Sequence, residues 1–422
     1  MTQRSWPRDG WGHSDSGMLT ARIACMTASQ DLPAVESRDF ADVSIALVSG
    51  LTLAITALFL CTVLLSGNLA GARDFVSYWA TGRQLVIHAD PYDRDAMMKI
   101  ERSGGLDAKG VLFMRNPPWA LPFAYPLGLL GVRLAAFLWS LALLTCLFVS
   151  VRLISAAHRS PKSSVFWLGL SFTPALICVT MGQTSLFCLL GLALFLRFHQ
   201  TRPICAGISL WLCALKPHLF LPCIAVLGLW IVVSRSYRVL AGAALSLAAT
   251  SVLAFWLDPG AWTGYLAMMR SPAAKSAYVP CLVYAIQAWI SPQAIWIQYV
   301  PAAFASIWAL LYFWVRRQSW NWIDNLSPLL LVSLLVAPYC WFYDQGLAIP
   351  ALLHGAYVSR SRKLLAALAL AILVMDIEIC MVRVASAGYL WTVPAWLAWY
   401  LAARSTSGNG AAQTTGPCSK PA

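Results

Sequence analysis

Long runs of apolar residues recur along the chain and are separated by short polar connections. The first is LVSGLTLAITALFLCTVLL at residues 47–65. Runs of about 17–20 apolar residues are long enough to cross a lipid bilayer as helices. They lack the alternation at every second residue that marks the strands of a membrane barrel. The pattern therefore predicts an all-α fold, a polytopic transmembrane helical bundle.

The apolar runs predict about 12 membrane spans. We place them at 43–66, 127–150, 164–180, 184–197, 204–215, 217–234, 239–257, 297–315, 326–340, 345–358, 364–382 and 388–403. Several are short, since a helix of about 12 residues is only about 18 Å long and the hydrocarbon core is about 30 Å thick. Short spans are tolerated where they are buried in the bundle or border a cavity.

The same pattern predicts one domain with two polar ends. A single transmembrane domain is expected over residues 42–403. The polar segment 1–41 has no sustained apolar core, and we expect it to be disordered or to precede the true start. The tail 404–422 is low in order-forming residues and is also expected to be disordered.

The distribution of charge orients the bundle. The chain is 59% hydrophobic and only 11% charged, with a net charge of +13. Arg and Lys concentrate in short connections, which by the positive-inside rule face the cytoplasm. The N-terminus is then cytoplasmic, and the long loops 67–126 and 258–296 lie outside. No basic run exceeds two residues, so nucleic acid is not an expected partner.

Polar clusters fall in four outer connections, each close to the end of an apolar run. Four clusters on one leaflet predict the rim of a single cavity, whereas the general polarity of loops explains one or two of them more easily than four. The clusters are Asp74, Gly182-Gln183, Lys216-Pro217-His218 and Tyr343-Asp344.

Asp74 is the candidate general base. It stands among Phe75, Tyr78 and Trp79 in the stretch GARDFVSYWATGRQLV. Partial desolvation by these rings raises the pKa of a carboxyl group, which suits a base that takes a proton from an alcohol. The alternative interpretation is a surface acid paired with Arg73, and the spacing leaves both open.

Lys216 and Asp344 are the other charged candidates. Lys216 has apolar residues on both sides, and a lysine buried in a membrane protein is functional by default, with an anion as its partner. The alternative is a break in the run that lets Lys216 reach water. Asp344 follows Tyr343 at an outer helix end, where it is either a second acid that orients acceptor hydroxyls or a helix N-cap.

Three further residues are candidates for substrate binding. Arg115 precedes the rigid Pro117-Pro118 corner and is either a bidentate phosphate ligand or a snorkelling anchor. Gln183 either binds a sugar hydroxyl or caps a helix. His218 joins the Lys216 cluster, whereas the other histidines are scattered.

No cofactor or metal is predicted. The sequence contains no P-loop, G-x-G-x-x-G, H-E-x-x-H or G-x-S-x-G motif, so nucleotide-fuelled and serine-hydrolase functions lack support. Its 12 cysteines show no C-x-x-C spacing, and we expect them to pack as small apolar residues without zinc or disulfides.

The order of the motifs resembles glycosyltransferase family 87 over roughly residues 44–360. The motifs are DFVSYWATGRQLV, DPYD, NPPWALPFAYPLGLL, MGQTS, AGISLWLCALKPHLFL and APYCWFYD. The resemblance implies a GT-C-like enzyme in the bacterial plasma membrane that uses a polyprenyl-phosphate sugar donor. The family includes polyprenyl-phosphate-mannose-dependent α-mannosyltransferases.

The resemblance carries over residue by residue, with two departures. The acid of the family's first outer loop falls on Asp74, its G-Q turn on Gly182-Gln183 and its K-P pair on Lys216-Pro217. The family's late Ser-Trp pair, sometimes followed by His, is Cys340-Trp341 followed by Phe342 here. Its Tyr-Pro-Pro is Asn116-Pro117-Pro118.

The implied function is transfer of a hexose, with mannose as the family's best-known sugar. The acceptor is a hydroxyl of a glycan or glycolipid on the extracytoplasmic side, and membrane lipids surround the enzyme. Asp74 is the base, while Arg115 or Lys216 stabilises the leaving phosphate. The alternative function is a transporter or flippase of a polar or lipid-linked substrate, since short helices and intramembrane charge also suit transporters.

Overall fold

A computed structural model describes most of the chain. The described residues are 32–65, 73–106, 110–158, 162–271, 279, 281–382 and 386–408. Residues 1–31 and 409–422, on which most of the two disorder predictions fall, lie outside them. The chain divides into Met1–Val43 and Ser44–Ala422, and every contact discussed below lies within the second unit.

The described residues form helices and contain no strand, as the apolar runs predict. The first nine helices are α1 Leu32–Leu65, α2 Arg73–Val86, α3 Arg94–Ser103, α4 Leu121–Gly128, α5 Val132–Ala156, α6 Ser163–Leu170, α7 Thr173–Met181, α8 Ser185–Phe198 and α9 Pro203–Cys213. The others are α10 Leu221–Val233, α11 Tyr237–Leu257, α12 Ala261–Arg270, α13 Leu282–Ile290, α14 Val300–Arg316, α15 Trp322–Leu335, α16 Ile349–Val358, α17 Arg362–Ile377 and α18 Thr392–Gly408.

Short turns of 3-10 helix connect several of these helices. They lie at Pro118–Ala120, Pro217–Leu219, Ile295–Tyr299, Arg317–Ser319, Phe342–Ala348 and Ser386–Tyr389. A π-helical turn, Glu378–Val382, extends α17. The loop expected at 67–126 therefore contains two helices, α2 and α3, and most of its described part is ordered.

The protein is a membrane protein by the length and composition of its helices, but the count of 12 spans is not confirmed. Six described segments are long and apolar enough to cross a bilayer, namely Asp42–Leu65, Val132–Ala156, Ser163–Met181, Tyr237–Leu257, Ile295–Ser319 and Arg362–Val382. The count differs because several apolar runs fold into helices too short to span.

Four of the short apolar helices are α8, α9, α10 and α15. With 11 to 14 residues each, they are about 16–21 Å long. The helix α8 packs against both α5 and α9, and α10 packs against α14 and α15. These four short helices pack against one another or against longer helices of the bundle.

A polar contact joins the first and a late span. Asp376 of α17 is fully buried, and its Oδ1 accepts a hydrogen bond of 2.9 Å from Thr56 Oγ1 of α1. Hydrogen bonds between helices in an apolar medium stabilise their association by about 1 kcal/mol. This contact holds α1 against the bundle.

Candidate active site

Lys216 lies in a buried cluster at the ends of several short helices. It follows the end of α9, and only 6% of its surface is exposed. Its Nζ lies 2.7 Å from Asp344 Oδ1, 2.7 Å from Gln183 Oε1 and 3.1 Å from Ser185 Oγ. The structure therefore removes the alternative in which Lys216 reaches water, and it brings three of the predicted residues into direct contact.

Asp344 is the buried anion of this cluster, with none of its surface exposed. Ser185 donates a hydrogen bond to the same Oδ1 that Lys216 contacts. The other oxygen, Oδ2, accepts from the backbone N–H of Trp341 at 2.9 Å. Asp344 is the third residue of the 3-10 turn Phe342–Ala348 and bonds back to the residue that precedes that turn. The alternative interpretation, an N-cap of the next helix, is therefore wrong, because Ala348 holds that position.

Burial and pairing act on Lys216 in opposite directions. Burial is the largest influence on the pKa of Lys216 and lowers it, but the Asp344 carboxylate, its hydrogen bond and Tyr78 together raise the net pKa above its ordinary value. A buried charge is tolerated when it is paired and hydrogen-bonded. Lys216 is therefore protonated at neutral pH, with its charge balanced by Asp344.

Gln183 is held by a sharp turn and a tyrosine. Gly182 ends α7 in the left-handed region, with φ of 73°, which glycine adopts without strain. A Cβ on Gly182 would come within 2.4 Å of Phe75 Cβ, so the turn packs directly on α2. One turn further along α2, the Tyr78 hydroxyl donates to Gln183 Oε1 at 3.0 Å.

Asp74 lies in the first turn of α2, one helical turn before Tyr78 and next to Phe75. Residues four apart share one face of a helix. Burial raises the pKa of the Tyr343 hydroxyl, and the nearby Asp74 carboxylate raises it further. The Asp74 carboxylate likewise adds to the rise that burial causes in the pKa of Tyr78. Asp74 is half-buried. Its effect on Tyr78 and Tyr343, which contact Gln183 and Lys216, indicates that it lies near this cluster.

A second group of side chains surrounds His218. Its ring packs edge-on against Tyr339 at 5.4 Å between centroids, and its buried Nε2 has no hydrogen-bond partner among the described residues. Burial lowers the pKa of His218 to about 4, so the ring is neutral at pH 7. Burial raises the pKa of Tyr339, and the neighbouring Arg115 guanidinium opposes that rise. Arg115 is half-buried and adjoins this group.

Aromatic rings cover the cluster. Lys216 Nζ lies 5.1 Å from the centre of the Tyr343 ring, within cation–π range. Tyr343 in turn stacks on Trp341 with an angle of 14° between the planes. Such surfaces suit the apolar faces of a sugar ring.

The proline-rich segment fixes the backbone just before Lys216. Asn116 Nδ2 donates to the Leu215 carbonyl at 2.8 Å, and Trp119 Nε1 donates to the Ala214 carbonyl at 2.8 Å. Asn116, which stands where the family pattern has Tyr, therefore has a defined structural role here. These two donors hold the loop that carries Lys216.

Sequence reasoning missed three members of this arrangement: Tyr78, Ser185 and Asn116. Each is uncharged and lies within one of the motifs given above. A charged residue in an apolar run draws attention in a sequence, whereas an uncharged one does not. The spacing of Tyr78 four residues after Asp74 is the one pattern that points toward a shared helix face.

The sequence has a D-x-D spacing at Asp93-Arg94-Asp95, so the interpretation that no D-x-D motif occurs, which argued against a sugar nucleotide held by a metal, is wrong. In the structure Asp93 Oδ1 accepts from the backbone N–H groups of Asp95 and Ala96 at 2.9 and 3.1 Å. Asp93 therefore caps α3. Among the described residues, no group of three or more His, Cys, Asp and Glu side chains is arranged to hold a metal ion.

The fold and the cluster define a class: a helical membrane protein with a buried charged network next to a half-buried acid. A sequence model of glycosyltransferase family 87 matches residues 113–338, a little over half of the chain. The chain belongs to glycosyltransferase family 87, and the protein is a membrane glycosyltransferase. Neither curated proteins nor solved structures gave a match.

The matched segment contains Arg115, Gln183, Lys216 and His218, but it ends before Tyr343 and Asp344 and begins after Asp74. The contacts of Tyr78 with Gln183 and of Asp344 with Lys216 join the residues on either side to the matched segment. A glycosyltransferase acts on a sugar donor and an acceptor. An active site at this cluster therefore has to bind two substrates.

Proposed function

We propose that the protein transfers a hexose, with mannose as the expected sugar, from a polyprenyl-phosphate donor to a hydroxyl of a glycan or glycolipid. Asp74 acts as the general base in this proposal. The supporting observation is the position of Asp74, half-buried at the start of α2 and one turn from Tyr78, which contacts the Gln183–Lys216–Asp344 network.

The proposed chemistry is one displacement. The Asp74 carboxylate takes the proton of the acceptor hydroxyl as the oxygen attacks the anomeric carbon. The bond between that carbon and the phosphate oxygen breaks, and the lipid phosphate leaves with the electron pair. A cation near the phosphate stabilises the charge that develops. Each step uses only donor, acceptor and protein side chains.

Arg115 is the preferred phosphate ligand in this scheme. It is half-buried and close enough to act electrostatically on Tyr339, which packs on His218, and a guanidinium binds phosphate with two parallel hydrogen bonds. Lys216 is less suited because Asp344 balances its charge and three side chains already accept its hydrogen bonds. Lys216 and Asp344 then act by positioning Gln183 and the aromatic rings.

The family supports an enzyme over the alternative of a transporter or flippase. The network also favours this choice, because Lys216 ties together the connections that carry Gln183 and Asp344. Alternating access requires such connections to move apart. Family membership leaves the sugar, the donor lipid and the acceptor as proposals.

Asp74→Asn in proteoliposomes, supplied with a panel of radiolabelled lipid-phosphate sugars, tests the proposal. We expect sugar transfer to fall by at least about 100-fold, the lower range for general-base catalysis. The control is Asp95→Asn, which removes an exposed acid on α3. Full activity of the Asp74 variant with the best donor would refute the assignment of the base.

The proposed orientation, with the N-terminus in the cytoplasm of a bacterial cell, has its own test. Single cysteines replace exposed Asp95 and Gln200 in a background from which all 12 native cysteines have been removed. We expect Asp95→Cys to react with an impermeant reagent in intact cells and Gln200→Cys to react only after permeabilisation. The reverse result would overturn the orientation.

A further inference from the structure

A second site lies at the far end of the short helices. The helix α8 begins at Ser185, beside Lys216, and ends at Phe198, about 21 Å away. Next to that end is an open cavity of about 670 Å³, within the usual range for small-molecule sites. Its lining includes Trp230, Trp320, Trp322, Tyr237, Arg235 and Arg238.

Three helices begin at this cavity. Pro203, Tyr237 and Trp322 line it, and they are the first residues of α9, α11 and α15. The N-terminal end of a helix carries partial positive charge and free backbone N–H groups, so it attracts anions. The residues that precede α9 and α11 make no side-chain capping bond, whereas Asn321 caps α15. Pro203 itself has no N–H, and the Val239 N–H already donates to the Ser236 carbonyl.

Two indole groups form part of the cavity wall. Trp322 lines the cavity and is 3% exposed, and its indole Nε1 is buried without a hydrogen-bond partner among the described residues. Trp320 Nε1 is also buried and has no partner among those residues. Because both Nε1 atoms have almost no accessible surface, the indoles offer the cavity their ring carbons rather than a hydrogen bond.

The backbone at Arg235 is held in an unfavourable conformation. Its φ is 52°, in the left-handed region that a non-glycine residue adopts at a cost. Hydrogen bonds from Arg235 N to the Val232 carbonyl and from Ser236 N to the Ile231 carbonyl close this turn. The turn brings Arg235 and Arg238 to the cavity that both line.

The ligand must combine an anionic head with an apolar part. The exposed side chains Val232, Val233 and Leu240 flank the turn, and in a membrane protein such residues face lipid. We propose that this cavity binds the phosphate head group of an anionic phospholipid, with the acyl chains along α10 and α11. The site is separate from the proposed catalytic residues and does not depend on their roles.

The test is a titration of the detergent-purified, full-length protein by native mass spectrometry. Phosphatidylglycerol is compared with phosphatidylcholine for the wild type and for Arg235→Gln/Arg238→Gln. The control, Arg316→Gln/Arg317→Gln, removes the same charge from residues that pack on Tyr312 and Trp314 instead. We expect one preferred phosphatidylglycerol, at least tenfold weaker binding in the first variant and a change below threefold in the control.

Equal losses in both arginine variants, no loss in either, or displacement of the lipid by millimolar inorganic phosphate would overturn the proposal.

Discussion

The hydroxyl of Tyr78 and the ammonium group of Lys216 donate to the same atom, Oε1 of Gln183, at 3.0 and 2.7 Å. An amide oxygen has two lone pairs, and both are used here. Two donors on one atom also fix which end of the amide is oxygen. Gln183 therefore has only its Nε2 group left to offer a substrate, as a donor to a sugar or phosphate oxygen.

Tyr78→Phe tests the contribution of the first donor. Lys216 remains on Gln183 Oε1, so we expect the fold to survive with a loss of about 1 kcal/mol in the free energy of unfolding. The rate of sugar transfer should fall by a larger factor than this loss of stability explains, because α2 also carries Asp74, the proposed base. Tyr92→Phe is the matched control, since the Tyr92 hydroxyl is buried without a partner among the described residues. Equal activity in the two variants would argue against a role for Tyr78.

Lys216→Met tests the buried ion pair. It leaves the Asp344 charge buried without its partner, which costs about 3–5 kcal/mol in comparable cases. The double variant Lys216→Met/Asp344→Asn removes both charges and should recover at least half of that loss. Thermal unfolding in detergent, monitored by the loss of monodisperse protein on heating, measures the stability of both variants. Lys99→Met, at an exposed site of α3, serves as a control. A single variant as stable as the wild type would contradict the pairing.

Gly182→Ala tests the turn that carries Gln183. The new Cβ meets Phe75 at 2.4 Å and sits on a backbone with φ of 73°, so we expect lower thermal stability and loss of activity together. Gly228→Ala is the matched change inside α10, where a Cβ has nothing within 4 Å. That control should be neutral or more stable by up to about 1 kcal/mol. Tolerance of Gly182→Ala would show that the turn is not packed as described.

The low pKa of His218 predicts a pH dependence of stability. An unfolded histidine takes up a proton near pH 6.5, whereas His218 in the folded protein stays neutral down to about pH 4. The stability from its neutral form is thus complete above pH 6.5 and is lost as the pH falls from 6.5 to 4. His218→Asn should flatten melting temperature against pH in that window.

Another histidine also contributes to the dependence of melting temperature on pH. Burial also lowers the pKa of His158 to about 4, so His218→Asn should remove only part of the slope. The control is His88→Asn, at an exposed turn with φ of 55°, a conformation that asparagine tolerates. If the slope is the same in both variants, His218 does not contribute to it.

The sequence predicts the convergence of the polar clusters better than their contacts. Gln183, Lys216 and Asp344 could be assigned to one leaflet because charge bias and run lengths fix which ends of helices lie together. The ion pair between Lys216 and Asp344 could not be predicted, since its 2.7 Å distance depends on how short helices pack. The count of 12 spans is not confirmed for a related reason, because apolar composition does not distinguish a helix that crosses lipid from one buried among other helices.

The distant cavity shows a further limit of sequence analysis. In the sequence, Arg235 and Arg238 are accounted for by the charge bias from which a cytoplasmic loop is predicted, so nothing in their spacing indicates a ligand. Only the three-dimensional arrangement adds the left-handed turn at Arg235 and the indole rings that line the same cavity. Uncharged side chains and backbone conformations carry little signal in a single sequence.

The shortness of α9 and α10 affects the surrounding membrane. Both helices expose apolar residues, among them Ile204, Ile208 and Ile224, yet both are at least about 10 Å shorter than a hydrocarbon core of about 30 Å. Lipids beside them must compress, which lowers the water boundary toward the turn between the two helices. In the proposed reaction, the head group of a lipid-phosphate donor then reaches the residues around this turn without leaving its leaflet. Transfer rates in bilayers of graded acyl-chain length should fall as the bilayer thickens, and a flat response would show that no such deformation takes place.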